Sequence, residues 1–136
     1  MIEIRRVKAQ LDDRLTRSKD AALAARGAAL RSNASSVEEN VYQVRNQSNQ
    51  DPLNFPIKVN NRLATLLSMA ERGDGAPTNN MPEIFGILST ELGGYLARLN
   101  EVWRTDLAAT NAELVRVGLP VLDPKCPEVK GCATRM

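Results

Sequence analysis

Histidine is absent from this 136-residue chain, and the aromatic residues are limited to one Trp, two Tyr and two Phe. Without imidazole, the chain excludes histidine-ligated haem, most zinc sites and every nucleophile activated by a Ser-His or Cys-His pair. So few aromatic rings provide no stacking platform for bases or sugars. Paired carboxylates are therefore the one kind of catalytic chemistry that the composition allows.

The adjacent acidic pairs do not fit that chemistry. Asp12 and Asp13 are neighbours in sequence, as are Glu38 and Glu39. Neighbouring residues diverge by roughly 100° around a helix, so neither pair can flank one glycosidic bond. We therefore expect solvated helix faces, no catalytic residue, no cofactor and no metal. Sequence spacing does not exclude a catalytic pair formed by distant acids that folding brings together, such as Glu91 and Asp106.

Long apolar runs are also absent. No segment approaches the roughly 18 apolar residues of a membrane span, and the first residues, MIEIRRVKAQ, lack the apolar core of a signal peptide. Net charge is +2, and acidic residues interrupt the basic stretch at residues 1–31. We expect neither a membrane partner nor a nucleic-acid partner. Apolar residues at helical spacing begin at Ile4, which suggests that the chain continues a longer protein.

Two cysteines, Cys126 and Cys132, lie near the end of the chain in the stretch CPEVKGC. This spacing fits neither a zinc motif nor a thioredoxin motif. In an oxidising compartment the pair can close a small loop as a disulfide; in a reducing compartment both are free thiols. The sequence leaves these two alternatives open.

The second of four predicted helices has the most regular apolar pattern. Its small and apolar residues alternate four and three apart, which is typical of a helix-packing seam. The seam continues through the polar stretch SNASS at 32–36, so we expect the helix to continue as well. Asp20 is the predicted N-cap, and Gly27 and Ala34 are predicted points of close helix contact. The seam comprises Leu23, Gly27, Leu30, Ala34, Val37, Val41 and Val44.

The third predicted helix begins with Asn54 as N-cap and Pro56 in its first turn. Its inward stripe is Val59, Leu63, Leu66 and Ala70. The fourth, with Thr78 as its cap, carries the seam Met81, Phe85, Leu88, Leu92, Tyr95, Leu99 and Val102. The pattern then shifts by one residue, to Trp103, Leu107 and Leu114, which indicates a bend or a new packing partner. Gly93 and Gly94 mark either a kink or a close crossing.

These patterns predict an all-α fold, an antiparallel up-down four-helix bundle with an extended C-terminal tail. The bundle covers residues 1–118, with helices at about 2–17, 20–47, 54–72 and 79–117. Residues 119–136 form an irregular tail that contains prolines and both cysteines. The second and fourth helices are longer than their neighbours, which indicates either a dimer or N-terminal sequence that is missing from this chain.

Residues 46–78 resemble a known family. The runs DPLNFPI (51–57), NNRLATL (60–66) and GDGAPT (73–78) are similar to a corner in the C-terminal helical region of bacterial sortilin-like, BNR-repeat β-propeller proteins of the glycosyl hydrolase type. Residues 90–122 resemble that family's closing helix. Phe55, Val59 and the cysteines depart from its usual pattern. The matching corner residues are Asp51, Pro52, Leu53, Asn54, Phe55, Pro56, Asn60, Asn61, Gly73, Asp74, Pro77 and Thr78.

The resemblance implies a non-catalytic accessory module, because the propeller that would hold any sugar-binding site is not in this chain. It also implies a bacterial, periplasmic or secreted protein. The expected partner is the propeller of the parent chain or a second copy of this chain. The alternative is a stand-alone helical domain for protein–protein interaction or dimerisation.

Overall fold

The computed structural model describes residues 1–45, 54–72, 75–76 and 78–132. Within these ranges the chain is helical and contains no β-strand, so the predicted all-α class is confirmed. None of the described helices is both long and apolar enough to cross a membrane. The elements are α1 (Ile2–Arg17), α2 (Ala21–Val41), α3 (Val59–Glu71), α4 (Met81–Val102), a π-helical turn (Trp103–Leu107) and α5 (Ala108–Arg116).

The chain divides into two compact units. The terminal unit comprises Met1–Ser36 and Leu99–Met136, and the central unit comprises Val37–Arg98. The predicted division into a bundle at 1–118 and a tail at 119–136 stays a prediction; the contact grouping places residues after 118 with α1. The boundaries between the units fall within α2 and within α4.

In the terminal unit, α1 and the first part of α2 form a helical hairpin. Leu11 of α1 contacts Gly27 of α2, and Asp12 pairs with Arg31 one turn further along α2. A Cβ built on Gly27 would lie 3.0 Å from Leu11 Cδ1, so the glycine permits a close approach of the two helices. The buried apolar residues of this hairpin are Ile4, Val7, Leu11, Leu23, Leu30 and Ala34.

Asp20 caps α2, as its position in the sequence predicts. Its Oδ1 accepts a hydrogen bond from the backbone N–H of Leu23 (2.9 Å) and another from Arg116 Nη2 (2.6 Å). The first bond satisfies one of the free N–H groups of the first turn. The second fastens the start of α2 to the end of α5 within the terminal unit.

The second helix runs through residues 32–36 but ends at Val41, not near residue 47. Val44, the last predicted seam residue, is outside the helix and 42% exposed. Gln43 explains the early end, since its buried side chain donates to the carbonyl of Pro56 (2.9 Å) and accepts from the N–H of Arg45. Residues 46 and 47 lie outside the described part of the chain.

The third helix begins at Val59, so the predictions that Asn54 is its N-cap and that Pro56 lies in its first turn are wrong. A helix from residue 54 would need the carbonyl of Pro56 to accept from the N–H of residue 60. That carbonyl is instead bonded to Gln43, and Lys58, the residue before the helix, has an extended backbone. Along α3 only Val59 is buried among its predicted stripe; Leu63 and Leu66 are half-buried and Ala70 is exposed.

Helix α4, the π-helical turn and α5 follow one another without a break. A π turn holds one more residue than an α-helical turn, which accounts for the one-residue shift of the apolar pattern at this point. The hydroxyl of Thr105 donates to the carbonyl of Glu101, and that of Thr110 donates to the carbonyl of Asp106. Leu107 and Leu114 are buried as expected from the shifted pattern, whereas Phe85, predicted to lie inside, is 58% exposed.

The glycines within α4 and after α5 have different roles. A Cβ at Gly93 or Gly94 would meet nothing within 4 Å, so this pair does not mark a close crossing. Gly118 ends α5 with a φ of +73°, and the N–H of Leu119 donates to the carbonyl of Leu114 (2.9 Å). This is a common glycine-based helix ending. The described residues beyond it, 119–132, form neither helix nor strand, and Leu122 and Cys126 among them are buried.

Candidate interaction surface

The family-like corner is only partly described. Asp51, Pro52, Leu53, Gly73, Asp74 and Pro77 lie outside the described residues. At the described end, the guanidinium of Arg45 lies over the ring of Phe55 at 5.8 Å from its centroid, within the range of a cation–π contact. Beside it is a depression of about 290 Å³, lined by Glu39, Gln43, Val44, Arg45, Phe55, Pro56 and Lys58. Charges of both signs line it, which gives no preference for an anion.

The other described corner residues do not line this depression. Asn60 is exposed on α3, and the half-buried Asn61 has a side-chain oxygen without a hydrogen-bond partner among the described residues. Thr78 does not act as the predicted side-chain cap: its hydroxyl donates to the side chain of Asn80 (2.6 Å), and α4 begins at Met81. These side chains shape turns and helix surfaces, and no reacting group is assembled among them.

An apolar surface of the central unit lies between α3 and α4. A groove of about 330 Å³, called the α3–α4 groove below, separates the two helices within the central unit. Large apolar side chains on both of its walls are between 40% and 60% exposed. The groove is lined by Ile57, Arg62, Thr65, Leu66, Met69, Ile84, Ile87 and Leu88.

The central unit buries little apolar surface to balance this exposure. Its buried apolar residues among those described are Val37, Val41, Val59 and Leu88. Exposed single apolar residues are normal, but a contiguous exposed set marks a contact surface. Leu67, Phe85 and Leu96, which are not in the groove, are also about half exposed. These exposed side chains make the surface of α3 and α4 a candidate contact site.

One ion pair spans the rim of the groove. Arg62 on α3 pairs with Glu91 on α4, and both side chains remain partly exposed. An exposed pair of this kind adds at most about 1 kcal/mol to stability. The pair places one positive and one negative group at the rim of the groove.

The terminal unit contains a second arrangement that the sequence pattern missed. Gln10 and Arg14, one turn apart on α1, are both buried and bind backbone groups of the C-terminal segment. Gln10 Nε2 donates to the carbonyls of Asp123 (3.0 Å) and Cys126 (3.1 Å), and its Oε1 accepts from the N–H of Asp123 (2.9 Å). We call Gln10 and Arg14 the α1 clamp.

Arg14 binds the segment at two further points. Its Nε donates to the carbonyl of Pro120 (2.9 Å), and its Nη1 donates to the carbonyl of Val129 (3.0 Å) and to the carboxylate of Asp13. Burial raises the pKa of Asp13, but hydrogen bonds from Arg14 and Arg17 outweigh it and leave this pKa below its ordinary value. The carboxylate of Asp13 therefore balances the positive charge of the buried Arg14 guanidinium beneath the segment.

Cys126 and Cys132 form a disulfide that closes the end of the clamped segment. On the opposite side of the segment, Asn111 of α5 accepts from the N–H of Leu122 (2.8 Å) and donates to its carbonyl (3.0 Å). The polar side chains at positions 10, 14 and 111 gave no signal in the sequence, because each binds backbone atoms, which every residue has.

Glu91 and Asp106, the distant acids that could have formed a catalytic pair, have other partners. Glu91 pairs with Arg62, and Asp106 accepts a hydrogen bond from Asn33 Nδ2 (2.7 Å). Within the described ranges, no group of three or more potential metal-ligating side chains comes together.

Comparison of the chain with protein-family models, with curated proteins and with solved structures finds no match. The surfaces described above are therefore the basis for any functional conclusion.

Proposed function

We propose that this chain is a non-catalytic helical interaction module, and that the α3–α4 groove is its contact surface. The observation that carries the proposal is the exposed apolar lining of the groove: Ile57, Met69, Ile84 and Ile87 are 40–60% exposed. Burying a large apolar side chain contributes about 1.5–3 kcal/mol. A partner that covers these residues therefore gains a substantial free energy.

The occupant we propose is a second copy of the chain. Four large residues that expose about half of their surface leave roughly 400 Å² of apolar area, about half of what one partner contributes to a standard interface. The rim also suits a copy of itself, because Arg62 and Glu91 have opposite signs. Across a two-fold axis, Arg62 of each copy can face Glu91 of the other.

We further propose that the module is the C-terminal helical region of a sortilin-like, BNR-repeat propeller protein. The support is the resemblance of residues 51–57, 60–66 and 73–78. A periplasmic or secreted location belongs to the same proposal, and a disulfide at Cys126–Cys132 is compatible with an oxidising compartment. The reading frame upstream of Met1 tests this origin: a frame without propeller repeats contradicts it.

The antiparallel up-down arrangement of all four helices is also proposed. In the terminal unit it is supported by the contacts of Asp12 with Arg31 and of Asp20 with Arg116. A compact chain of this length has a radius of gyration of about 14 Å. Small-angle X-ray scattering of a monomeric groove variant tests it; a radius well above this value indicates that the helices do not form one bundle.

Light scattering after size exclusion, over a range of concentrations, tests the second copy. The wild-type mass should rise from 14.9 kDa towards twice that value. Met69→Glu and Ile87→Glu should keep the mass at that of the monomer, because each places a charge in the groove. Val115→Glu is the matched control, since Val115 is 67% exposed on α5 in the terminal unit.

A wild-type chain that is monomeric at every concentration refutes the proposal that a second copy occupies the groove. The broader proposal is then tested with the parent protein's own propeller added in trans. If the propeller binds the wild type and not Ile87→Glu, the groove is a contact surface for that domain. If neither binds, the groove is not the contact surface.

A further inference from the structure

The two cysteines of the disulfide differ in solvent exposure. Cys126 is only 2% exposed, whereas Cys132 is on the surface. Thiol–disulfide exchange requires a thiolate to reach one sulfur in line with the S–S bond. A thiolate arriving from solvent can therefore reach Sγ of Cys132, and Cys126 is the sulfur that leaves.

The two halves of the C-terminal segment are held by different groups. Residues 120–126 are bound by Gln10, by Asn111 and by Arg14 Nε, and none of these bonds depends on the disulfide. Residues 127–132 are fastened by the disulfide and by the bond from Arg14 Nη1 to Val129. Loss of the disulfide removes a covalent constraint from the second half alone.

We propose that the Cys126–Cys132 disulfide is an exchange site for an external dithiol, and that its reduction releases residues 127–132 from α1 while residues 120–126 stay bound. This inference concerns the terminal unit and goes beyond the proposed function. It assigns the disulfide a reversible conformational role in addition to closing the loop.

The chemistry balances with the dithiol as reductant. One thiolate attacks Cys132 Sγ, the S–S bond breaks, and Cys126 leaves as a thiolate that takes up a proton. The second thiolate of the reductant attacks the mixed disulfide and frees Cys132, so the dithiol is oxidised by two electrons.

Release changes the surface beside α1. A recess of about 250 Å³ lies between α1 and the loop, with Ile2 and Ala9 on one side and Pro127 and Val129 on the other. When residues 127–132 leave, this apolar side of α1 becomes accessible. From the loop-closure entropy of a seven-residue ring, the opening of residues 127–132 should become about 50-fold more frequent.

The first test locates the attacked sulfur. The native protein is treated briefly with glutathione, free thiols are blocked with N-ethylmaleimide, and the chain is cleaved with trypsin. Because Lys125 and Lys130 flank the first cysteine, residues 126–130 and 131–135 are released as separate peptides. We expect glutathione on the peptide with Cys132 and maleimide on the peptide with Cys126. The opposite pattern, or no reaction without denaturant, overturns the proposal.

The second test measures the release. Amide exchange is compared before and after treatment with dithiothreitol, with the double variant Cys126→Ser/Cys132→Ser as a reference that cannot re-form the bond. Exchange at residues 128–132 should accelerate in the reduced protein and in the variant, while residues 121–126 keep their protection. Unchanged exchange at residues 128–132 contradicts the proposed release. Loss of protection over residues 121–132 also contradicts it, because the disulfide would then hold the whole segment.

Discussion

At the scale of single residues, Gly27 shows how one missing side chain controls a helix contact. It lies in the seam of α2 directly against Leu11. A glycine within a helix costs about 1 kcal/mol relative to alanine. The close approach of α1 and α2 is the compensating gain, because any larger side chain would displace Leu11.

Gly27→Leu should therefore lower the free energy of unfolding by about 1–3 kcal/mol, measured by chemical denaturation. Gly94→Leu is the matched control, since Gly94 is also helical and a Cβ there meets open space. The control should be neutral or stabilising because it improves helix propensity. A higher melting temperature for Gly27→Leu than for wild type would show that position 27 tolerates bulk.

Asp20 makes the stability of the fold dependent on pH. The hydrogen bond from Arg116, together with that from the N–H of Leu23, holds the pKa of Asp20 below its ordinary value. A carboxyl whose pKa is lowered by folding stabilises the protein above its unfolded pKa of about 3.9. That contribution is lost as the pH falls through the lower, folded pKa.

We expect Asp20→Asn to reduce this acid sensitivity. The amide oxygen can still cap α2, so the variant removes the charge and keeps the cap. Melting temperatures between about pH 2 and 6 should fall less steeply for the variant than for wild type. Asp13, whose pKa is also lowered, remains in both proteins. Parallel curves would mean that the Asp20–Arg116 pair does not contribute.

At the scale of elements, α2 shows that an apolar seam outweighs local composition. The stretch SNASS favours a loop by residue type, yet Ala34 and the flanking Leu30 and Val37 are buried on one face. Asn33 extends away from that face and donates to Asp106 (2.7 Å). The polar residues therefore occupy the remaining sides of a continuous helix.

Amide exchange across residues 32–36 should accordingly be as slow as in the flanking turns of α2. The measurement is hydrogen exchange of the native protein, read by mass spectrometry or NMR. Rapid exchange confined to these five residues, with protection on both sides, would show a loop and contradict the continuous helix.

The π-helical turn was visible in the sequence only as a shift of phase. Apolar residues spaced four and three apart up to Val102 resume one position later, at Trp103 and Leu107. A bend and a change of partner also explain such a shift, so the pattern alone could not identify the extra residue. The identity of the turn depends on hydrogen bonding along the helix, which spacing does not reveal.

At the scale of the whole molecule, we expect this chain alone to hydrolyse no glycoside. The sequence has no histidine, and Glu91 and Asp106 are each bonded to another side chain. The test is incubation of the purified chain with aryl glycosides and oligosaccharides. Turnover that survives further purification and disappears when a single Glu or Asp is changed to its amide would contradict this expectation.

Several features of the protein follow from the sequence alone. Helical spacing determines the all-α class, the range of α1 and the inward face of α2, because local periodicity and burial are directly coupled. Asp20 also follows from sequence, since an N-cap bonds residues only two or three positions away. Features of this kind involve neighbours within one or two turns.

The tertiary structure decided the rest. Helix α3 begins at Val59 because Gln43 binds the carbonyl of Pro56, and Arg14 is buried because carbonyls more than 100 residues away accept its hydrogen bonds. The exposure of Phe85 depends likewise on which helices lie beside α4. Partners distant in sequence leave no periodic signal, so these features are determined only when folding brings the residues together.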